Sequence, residues 1–413
     1  MPEDQNSPIV LTPGSVLQGA SPLVLIATLR PVAGLDRFQP AGFPEIGHVI
    51  YKAPRKGGGV ENVCIVDSPA SMANHLEAVC LRGPHDLELD DDLEGMPYLR
   101  CVTCELADEK IPSEKRDLVV TSITEGHRIA STYFLGGKSL DAGGSRAAEE
   151  FSKTLEKEFG IKLPDSKKAH PPAEKWWNVF KTIFKYDPNA LVHGVLFPQY
   201  QIKIARVLTA HLEAFGVARV DRSGVKFDRL GKTTSGQPIF AVDDETASAI
   251  RATFILDVAL LRSFGRTDKK DGPGGEEVWG LSEKQKEFVA ALALWKIDRL
   301  LKTPFRYRSG CHLELISLKH GERDAKLEVN VKTAIASAAF RANGDQAPII
   351  TDVYWPHDQL YRTDDVDNPG AAPASATTGA AHDQLYRTDD VDNQSGSSGG
   401  GSSGSEDDDG EDS

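Results

Sequence analysis

The sequence predicts an α+β fold, and two observations carry this prediction. Short apolar runs rich in β-branched residues recur along the chain, which is typical of buried strands. Between them lie segments that begin with helix-capping residues and keep apolar side chains at helical spacing. A chain of 413 residues is long enough to bury a substantial core, and we expect at most two compact units.

The predicted strands follow the apolar runs. Residues 23–29 are too few for a helix and are ended by Pro31, so they are predicted to form a fully buried first strand. In residues 217–242, two alternating runs flank a basic tip that contains glycine, which predicts a long β-hairpin. Further strands are predicted at residues 60–66, 98–104, 118–124, 192–197 and 253–261.

The clearest helix signal is Ser68 followed by Pro69, a capping residue followed by a proline in the first turn. In this predicted helix Ser71, Asn74 and His75 share one face near the N-terminus, where free backbone N–H groups favour anions. Other helices are predicted at residues 147–159, 202–215 and 282–301. The helix at 202–215 is predicted from the four-residue spacing of Ile204, Leu208 and Leu212, with Phe215 on the same face and Gly216 as its end.

Residues 165–185 combine five lysines with an aromatic stripe in which Trp176, Phe180 and Phe184 are spaced four apart. The stripe fits either a helix packed inward or a platform on which nucleobases stack. We favour inward packing, because aromatic stripes at this period usually face a core.

The most unusual stretch is residues 30–56, which carry five basic residues and two acidic ones, together with glycines, prolines and phenylalanines. This composition suits a single nucleic-acid strand, because arginine and lysine pair with phosphates and an aromatic face stacks on a base. The alternative is an Ω-like loop packed on its own Phe38 and Phe43.

The net charge of −14 comes almost entirely from the C-terminal 63 residues, and the rest of the chain is nearly neutral. Residues 351–413 hold fifteen acidic and two basic residues, whereas residues 1–350 hold 46 acidic and 45 basic ones. The twelve residues HDQLYRTDDVDN occur at 357–368 and again at 382–393. One repeat of polar residues cannot build a solenoid. We therefore divide the chain into a folded unit, 1–350, and an acidic, disordered tail, 351–413.

The remaining composition predicts a cytoplasmic protein. No apolar run is long enough to span a bilayer, and the N-terminus lacks the pattern of a secretory signal. Five cysteines form no disulfide-like framework. Cys101 and Cys104 have the C-x-x-C spacing of a metal site, but with no second pair they are better explained as buried thiols on a strand. Neither a metal nor a cofactor is predicted.

Before the glycine- and serine-rich run at residues 395–405, the sequence contains none of the G-x-S-x-G, Walker or HExxH signatures. His127, which lies close to Glu125 and Arg128, fits a general acid/base, but a structural histidine is favoured. Asp36 fits a metal-assisted cleavage of RNA, but an aspartate in a turn is commoner.

Five ordered motifs resemble one known family. They lie at residues 37–44 (RFQPAGFP), 71–80 (SMANHLEAVC), 121–133 (TSITEGHRIASTY), 192–197 (VHGVLF) and 303–313 (TPFRYRSGCHL). In this order they resemble the type I-G (formerly I-U) CRISPR-associated backbone subunit, the Cas seven member of the RAMP superfamily. The resemblance covers most of residues 20–345. The chain departs from the motif at His75, where we expect an arginine.

The resemblance implies an RRM-like (ferredoxin-like) palm with inserted fingers and a thumb hairpin, for which residues 217–242 are the candidate. It implies a non-catalytic subunit that binds CRISPR RNA (crRNA) in a type I DNA-targeting (Cascade) complex for antiviral defence. Copies would polymerise head-to-tail into a helical filament along the guide, which pairs with a target DNA strand. The implied partners also include Cas five/six-like and large subunits and the Cas three helicase-nuclease, but no membrane.

Apart from Arg128, the predicted RNA-binding residues fall into four groups: the opening loop, the helix start, the basic strip near residue 306 and the hairpin tip. Phe38 is predicted to stack on a base or wedge between bases. The full set is Arg30, Arg37, Phe38, Gln39, Lys52, Arg55, Lys56, Ser71, Asn74, His75, Arg128, Lys226, Arg229, Lys232, Arg306 and Arg308. The alternatives left open are a RAMP endoribonuclease that uses Asp36 or His127, and a module that binds only proteins.

Overall fold

A computed structural model describes most of the chain. The described residues are 7–43, 47–55, 57–105, 110–161, 175–220, 225–226, 239–240, 243–269, 276–341 and 348–360. They mix helices with several sheets, so the predicted α+β class is confirmed. The predicted boundary at residue 350 is wrong, because residues 350–354 of the described chain form a strand and residues 357–360 a short helix. The rest of the predicted acidic tail, residues 361–413, lies outside the described residues.

The helices range from one turn to twenty residues. They are α1 (Pro13–Gln18), α2 (Pro69–Ala78), α3 (Thr132–Leu135), α4 (Phe151–Phe159), α5 (Trp176–Tyr186), α6 (Asn189–His193), α7 (Val258–Arg262), α8 (Glu283–Lys302), α9 (Val331–Ser337) and α10 (His357–Leu360).

The strands of the first half of the chain are β1 (Ile9–Leu11), β2 (Leu23–Pro31), β3 (Arg37–Phe38), β4 (Gly42–Phe43), β5 (Gly47–His48), β6 (Ile50–Pro54), β7 (Val60–Asp67), β8 (Tyr98–Thr103), β9 (Asp117–Thr121), β10 (Lys138–Ser139), β11 (Val195–Phe197) and β12 (Ile202–Ile204). Those of the second half are β13 (Leu208–Phe215), β14 (Ala218–Val220), β15 (Val225–Lys226), β16 (Ile239–Phe240), β17 (Asp244–Thr246), β18 (Ala249–Leu256), β19 (Gly265–Lys269), β20 (Glu276–Gly280), β21 (Phe305–Arg308), β22 (Cys311–His320), β23 (Arg323–Leu327) and β24 (Ile350–Tyr354).

The central sheet has the order β1-β23-β22-β2-β18-β13-β7-β6, with β21 paired to β22. Every pairing in it is antiparallel except that of β1 with β23. Along the chain, β2, α2, β13, β18, α8 and β22 follow one another as β-α-β-β-α-β. The fourth, first, third and second strands of this series are adjacent in the sheet.

One face of the central sheet carries the core. Residues of β2, β13 and β18 alternate between buried and more exposed, so each strand turns every second side chain toward α2 and α8. Helix α8 was predicted at residues 282–301 and begins with a capping box of Ser282 and Gln285, and its apolar residues are buried on several sides. The other face of the sheet remains partly exposed.

The helix predicted at residues 202–215 is wrong, because this segment forms β12 and β13. Leu208 and Leu212 are four apart, a spacing that fits two strand repeats as well as one helical turn. Ala210 and Ala214 complete the two-residue alternation, and all four side chains are buried against the helices. Small alanines contribute little to an apolar pattern, which explains the error.

Two other predicted elements are correct only in part. The strand predicted at 192–197 is divided between the end of α6 and β11, and the one predicted at 253–261 between β18 and α7. Asp257 ends that strand by accepting a hydrogen bond from the Leu260 N–H at 2.9 Å, which starts α7.

A second sheet, β10-β24-β8-β9, lies in the long insertion between α2 and β13 and takes β24 from near the end of the described chain. Asp352 joins its strands, because its carboxylate pairs with Arg100 at 2.6 Å and Arg116 at 2.5 Å. Cys101 and Cys104 are buried free thiols, as predicted, and burial raises the pKa of Cys101 to about 12. The described residues contain no cluster suited to a metal ion.

The aromatic helix α5 packs inward, as predicted. Phe184 is buried and stacks on Phe340 at 5.1 Å between ring centroids, and Phe180 stacks on Phe264 at 4.8 Å. Among the described helices, none is long and apolar enough to cross a membrane.

The predicted hairpin is also present where the chain is described. Strand β14 pairs with β17, and β15 pairs with β16, both antiparallel. The hairpin is inserted between the adjacent strands β13 and β18. Strand β17 also pairs with β3 on its other side, which joins the hairpin base to the opening loop.

Candidate nucleic-acid interface

The site centres on the point where β7 ends and α2 begins. Ser68 caps α2 by accepting a hydrogen bond from the Ser71 N–H at 3.2 Å, and Pro69 occupies the first turn. Ser68 and Asn74 are exposed and Ser71 is half-buried, so the first turns of α2 offer hydroxyl and amide groups to solvent. Such a helix start favours a phosphate oxygen.

The opening loop and the turn after β21 meet beside this helix start. The Gln39 N–H donates to the Gly310 carbonyl at 3.0 Å, and the Ala41 N–H donates to the Val66 carbonyl at 2.9 Å. Gly310 has φ +78°, and a Cβ there would lie 3.1 Å from Gln39 Oε1. Three of the five motifs, distant in sequence, thus converge here.

The buried side chain of Asp67 connects the start of α2 with the strand before Gly310. Its buried carboxylate accepts a hydrogen bond from the Ser68 N–H at 2.9 Å, lies 2.8 Å from His75 Nε2, and pairs with Arg308 Nη2 at 3.0 Å. Burial by itself would raise the pKa of Asp67, but the bond to His75 and the charge of Arg308 hold the pKa below its ordinary value. Asp67 is therefore ionised at neutral pH and holds the motifs together.

These contacts correct two predicted RNA ligands. His75 and Arg308 are each 4 % exposed and face Asp67 rather than solvent. The His75 ring also lies edge-on to Phe305 and Tyr307, both at 5.4 Å. Arg308 does not share a face with Arg306, because a register shift between them breaks the two-residue alternation.

Two further predictions are corrected by burial. Phe38 is 1 % exposed and belongs to the main core, so its ring neither stacks on nor wedges between bases in this structure. Arg128 is 7 % exposed and forms a two-pronged ion pair with Glu77, at 2.7 and 2.6 Å. The amino-acid composition of a loop and the order of its charged residues do not show which buried side chains will contact them in the fold.

Four predicted cations remain at the surface. Arg306 is exposed and donates to Ser309 Oγ at 2.6 Å, and the rings of its neighbours Phe305 and Tyr307 pack on His75 of α2. Arg37 lies 3.4 Å from buried Asp244, and Arg30 lies 2.7 Å from Glu314. Lys52 is exposed on the edge strand β6.

The other predicted cations of the opening loop and the hairpin are less accessible or are not described. Arg55 is half-buried, paired with Glu61 and placed over the Phe215 ring. Lys56, Arg229, Lys232 and the side chain of Lys226 lie outside the described residues.

Sequence reasoning missed Arg206. This exposed residue lies between β12 and β13, and its Nη1 donates to the Pro69 carbonyl at 3.3 Å, so its guanidinium stands beside the first turn of α2. The incorrect helix at 202–215 concealed it, because Arg206 then belonged to the solvent face of a helix. Correct strand assignment would have placed it at a strand start.

The residues considered for catalysis make contacts of another kind. His127 has an 81 % exposed side chain, and its Nδ1 lies 3.1 Å from Glu125 Oε1. The Asp36 carbonyl accepts a hydrogen bond from Thr246 Oγ1 at 2.8 Å, which ties the loop to the hairpin base.

Comparison with known proteins gives one family. Residues 23–219 match the model of the family described as CRISPR-associated protein GSU0053. The chain is also similar to the crystal structure of Thermofilum pendens Csc2, with 11% identity over 77% of this chain and 70% of that chain, but the TM-score of 0.25 is too low to support an argument. No curated protein matches the sequence. The CRISPR-associated family recognised from ordered motifs is confirmed, and the type I-G subtype stays a prediction. Over residues 23–219, just under half of its length, this chain is similar to the CRISPR-associated GSU0053 family.

Proposed function

We propose that this protein binds guide RNA as the repeated backbone subunit of a type I, DNA-targeting CRISPR complex. The family match over residues 23–219 supports a role in CRISPR defence. The observation that carries the RNA-binding role is the convergence of the opening loop, the start of α2 and the turn at Gly310 around one ionised carboxylate, Asp67.

The topology supports an RRM-like palm. The β-α-β-β-α-β series and its strand order of fourth, first, third and second are those of a ferredoxin-like fold. The insertion between α2 and β13 would serve as fingers, and the hairpin between β13 and β18 as the thumb. Each insertion connects the ends of two elements of the palm, and such connections commonly carry binding residues.

The chemistry of the site suits the backbone of a single strand more than its bases. Exposed Arg206 and Arg306 supply cations, while Ser71, Asn74 and the N-terminus of α2 supply hydrogen-bond donors. Groups of this kind bind phosphate and sugar oxygens and carry no base preference. Sequence specificity would then come from pairing of the guide with a target DNA strand.

Assembly follows from this proposal. Many copies bound head-to-tail along one RNA make a heterologous contact that does not close, which generates a helical filament. The partners would be other copies of the chain, Cas five/six-like and large subunits, and the Cas three helicase-nuclease. The protein itself would cleave nothing.

The decisive experiment is purification of the full chain, followed by absorbance at 260 and 280 nm and titration with unrelated single-stranded RNAs. We expect Arg206→Ala with Arg306→Ala to weaken binding equally for all sequences and to reduce the salt dependence by about 0.7 per lost phosphate contact. Lys284→Ala, which removes a cation from the exposed Lys284–Glu287 pair on α8, is the control.

Three results would overturn the proposal. A protein that carries no RNA and binds none at low salt would favour a module that binds only proteins. Cleavage of RNA that is lost in Asp36→Ala or His127→Ala would favour an endoribonuclease. A defect confined to some RNA sequences would contradict recognition of the backbone.

A further inference from the structure

The exposed face of the central sheet carries an aromatic and cationic cluster that the sequence did not reveal. Phe215, the last residue of β13, lies beneath two guanidinium groups. The Cζ of Arg251 is 4.8 Å from the ring centroid, and that of Arg55 is 5.1 Å away. Because Phe215 and Arg251 flank the inserted hairpin in sequence, the cluster lies at the hairpin root.

The register of the sheet places these residues on one surface. Tyr51 is opposite Val63, Val63 is opposite Phe215, and Phe215 is opposite Ala249. Directly opposed residues share a face, so Tyr51 and Phe215 lie on the same side, two strands or about 10 Å apart. Tyr51 is 42 % exposed. Arg251 follows Ala249 by two residues and is therefore on this side as well.

Three acidic side chains on the described part of this face have partners of their own. Glu61 pairs with Arg55, Glu314 pairs with Arg30, and Glu213 accepts the hydrogen bond of the Tyr51 hydroxyl at 2.9 Å. Burial and the bond to Glu213 raise the pKa of Tyr51, so this hydroxyl remains a donor. Arg251 is exposed, and within the described part of the chain no carboxylate forms an ion pair with it.

We propose that Arg251, lying over Phe215, and the neighbouring Tyr51 form a second nucleic-acid site, which stacks unpaired bases of a single strand. The proposal rests on the proposed function, since it adds a base-stacking surface to a protein that grips the phosphate backbone elsewhere. A guanidinium that lies over an aromatic ring is held with its plane fixed, and unpaired bases stack on arginine planes and on tyrosine rings alike.

The chemistry recognised is an unpaired nucleobase, which either RNA or DNA can supply. Stacking of this kind tolerates any base, because every base has a π face. The cluster should therefore contribute affinity without sequence preference, and it should require the planar group of Arg251 rather than its charge alone.

The test uses the full chain, freed of co-purified RNA, and matched RNA and DNA single strands that each carry one 2-aminopurine. Arg251→Lys keeps the charge but removes the plane, and Phe215→Leu keeps an apolar support without a ring. Lys319→Ala is the matched control, because it removes another exposed cation from the same face. Thermal melting verifies that each variant is folded.

We expect Arg251→Lys and Phe215→Leu to weaken binding by about fivefold or more, the lower range for one lost base stack, and to abolish the quenching of 2-aminopurine. Lys319→Ala should change affinity less than Arg251→Lys does and keep the quenching. An effect confined to the RNA arm assigns the site to the guide, and an effect in the DNA arm assigns it to a DNA strand.

The site is refuted if Arg251→Lys binds and quenches like the wild type in both arms, which is also the result expected when a protein partner covers this face. In that case binding that is still lost in Arg206→Ala with Arg306→Ala leaves the proposed function intact. If the wild-type chain binds neither strand, both proposals fail together.

Discussion

His75 Nε2 lies 2.8 Å from the carboxylate of Asp67, in the interior below the first turn of α2. The same carboxylate holds Arg308, so a strand end, a helix and a distant turn share one buried negative charge. This arrangement links the stability of the protein to the geometry of the proposed RNA site.

Asp67→Asn should lower the free energy of unfolding by about 3–5 kcal/mol, because it leaves the buried guanidinium of Arg308 without its counter-charge. Urea denaturation measures the change. Glu314→Gln is the control, since its partner Arg30 is 64 % exposed and such surface pairs contribute about 1 kcal/mol or less. Equal losses in the two variants would contradict a special role for Asp67.

Asp187 should make the protein less stable as pH rises through neutrality. Burial, with a smaller contribution from Glu77, raises its pKa from 3.8 to about 7, against the opposing effect of Arg128. The folded state therefore holds a proton that the unfolded state releases, and this stabilisation is full below pH 3.8 and lost as pH passes 7.

Asp187→Asn tests this linkage, because the amide oxygen still accepts one of the two backbone hydrogen bonds from Ile129 and Ala190. Urea denaturation between pH 4 and pH 8 should show a flatter stability profile for the variant than for the wild type. Parallel profiles would show that Asp187 does not titrate in this range.

Gly310→Ala should weaken RNA binding as well as stability. Its φ of +78° disfavours alanine, at a cost of about 1–2 kcal/mol, and the added Cβ would press on Gln39. Gly321→Ala is the matched control, because Gly321 has φ +61° and no atom within 4 Å of a built Cβ. We expect similar losses in melting temperature but a loss of RNA affinity only at Gly310. An equal loss of affinity in both would indicate a general effect of instability.

Removal of residues 361–413 should leave RNA affinity unchanged or raise it. This segment holds thirteen acidic and two basic residues, and a negative charge near the site opposes binding of phosphate. Titration at two salt concentrations measures the effect, which should shrink at the higher one. A large loss of affinity on deletion would show that the tail belongs to the site.

Local signals were sufficient for several elements. The capped start of α2 at Ser68, the start of α8 after Ser282, the end of α4 at Phe159 and the position of β2 were predicted correctly. In each case the deciding interaction lies within a few residues along the chain. The full burial predicted for the first strand was wrong, because its side chains alternate between buried and more exposed. The ordered motifs also identified the CRISPR-associated family, which the match over residues 23–219 confirms.

The sequence by itself determined the α+β class, the starts of α2 and α8 and the CRISPR-associated family, because these depend on short-range patterns and motif order. The tertiary structure alone decided which charged residues face solvent. His75, Arg128 and Arg308 are residues of the types that bind RNA. In the folded chain, however, each is paired with a buried carboxylate. Arg206 and Arg251, which no motif marked, are left exposed beside the helix start and over Phe215. The physical reason is that a cation's availability depends on the partners that folding places beside it, and those partners are distant in sequence.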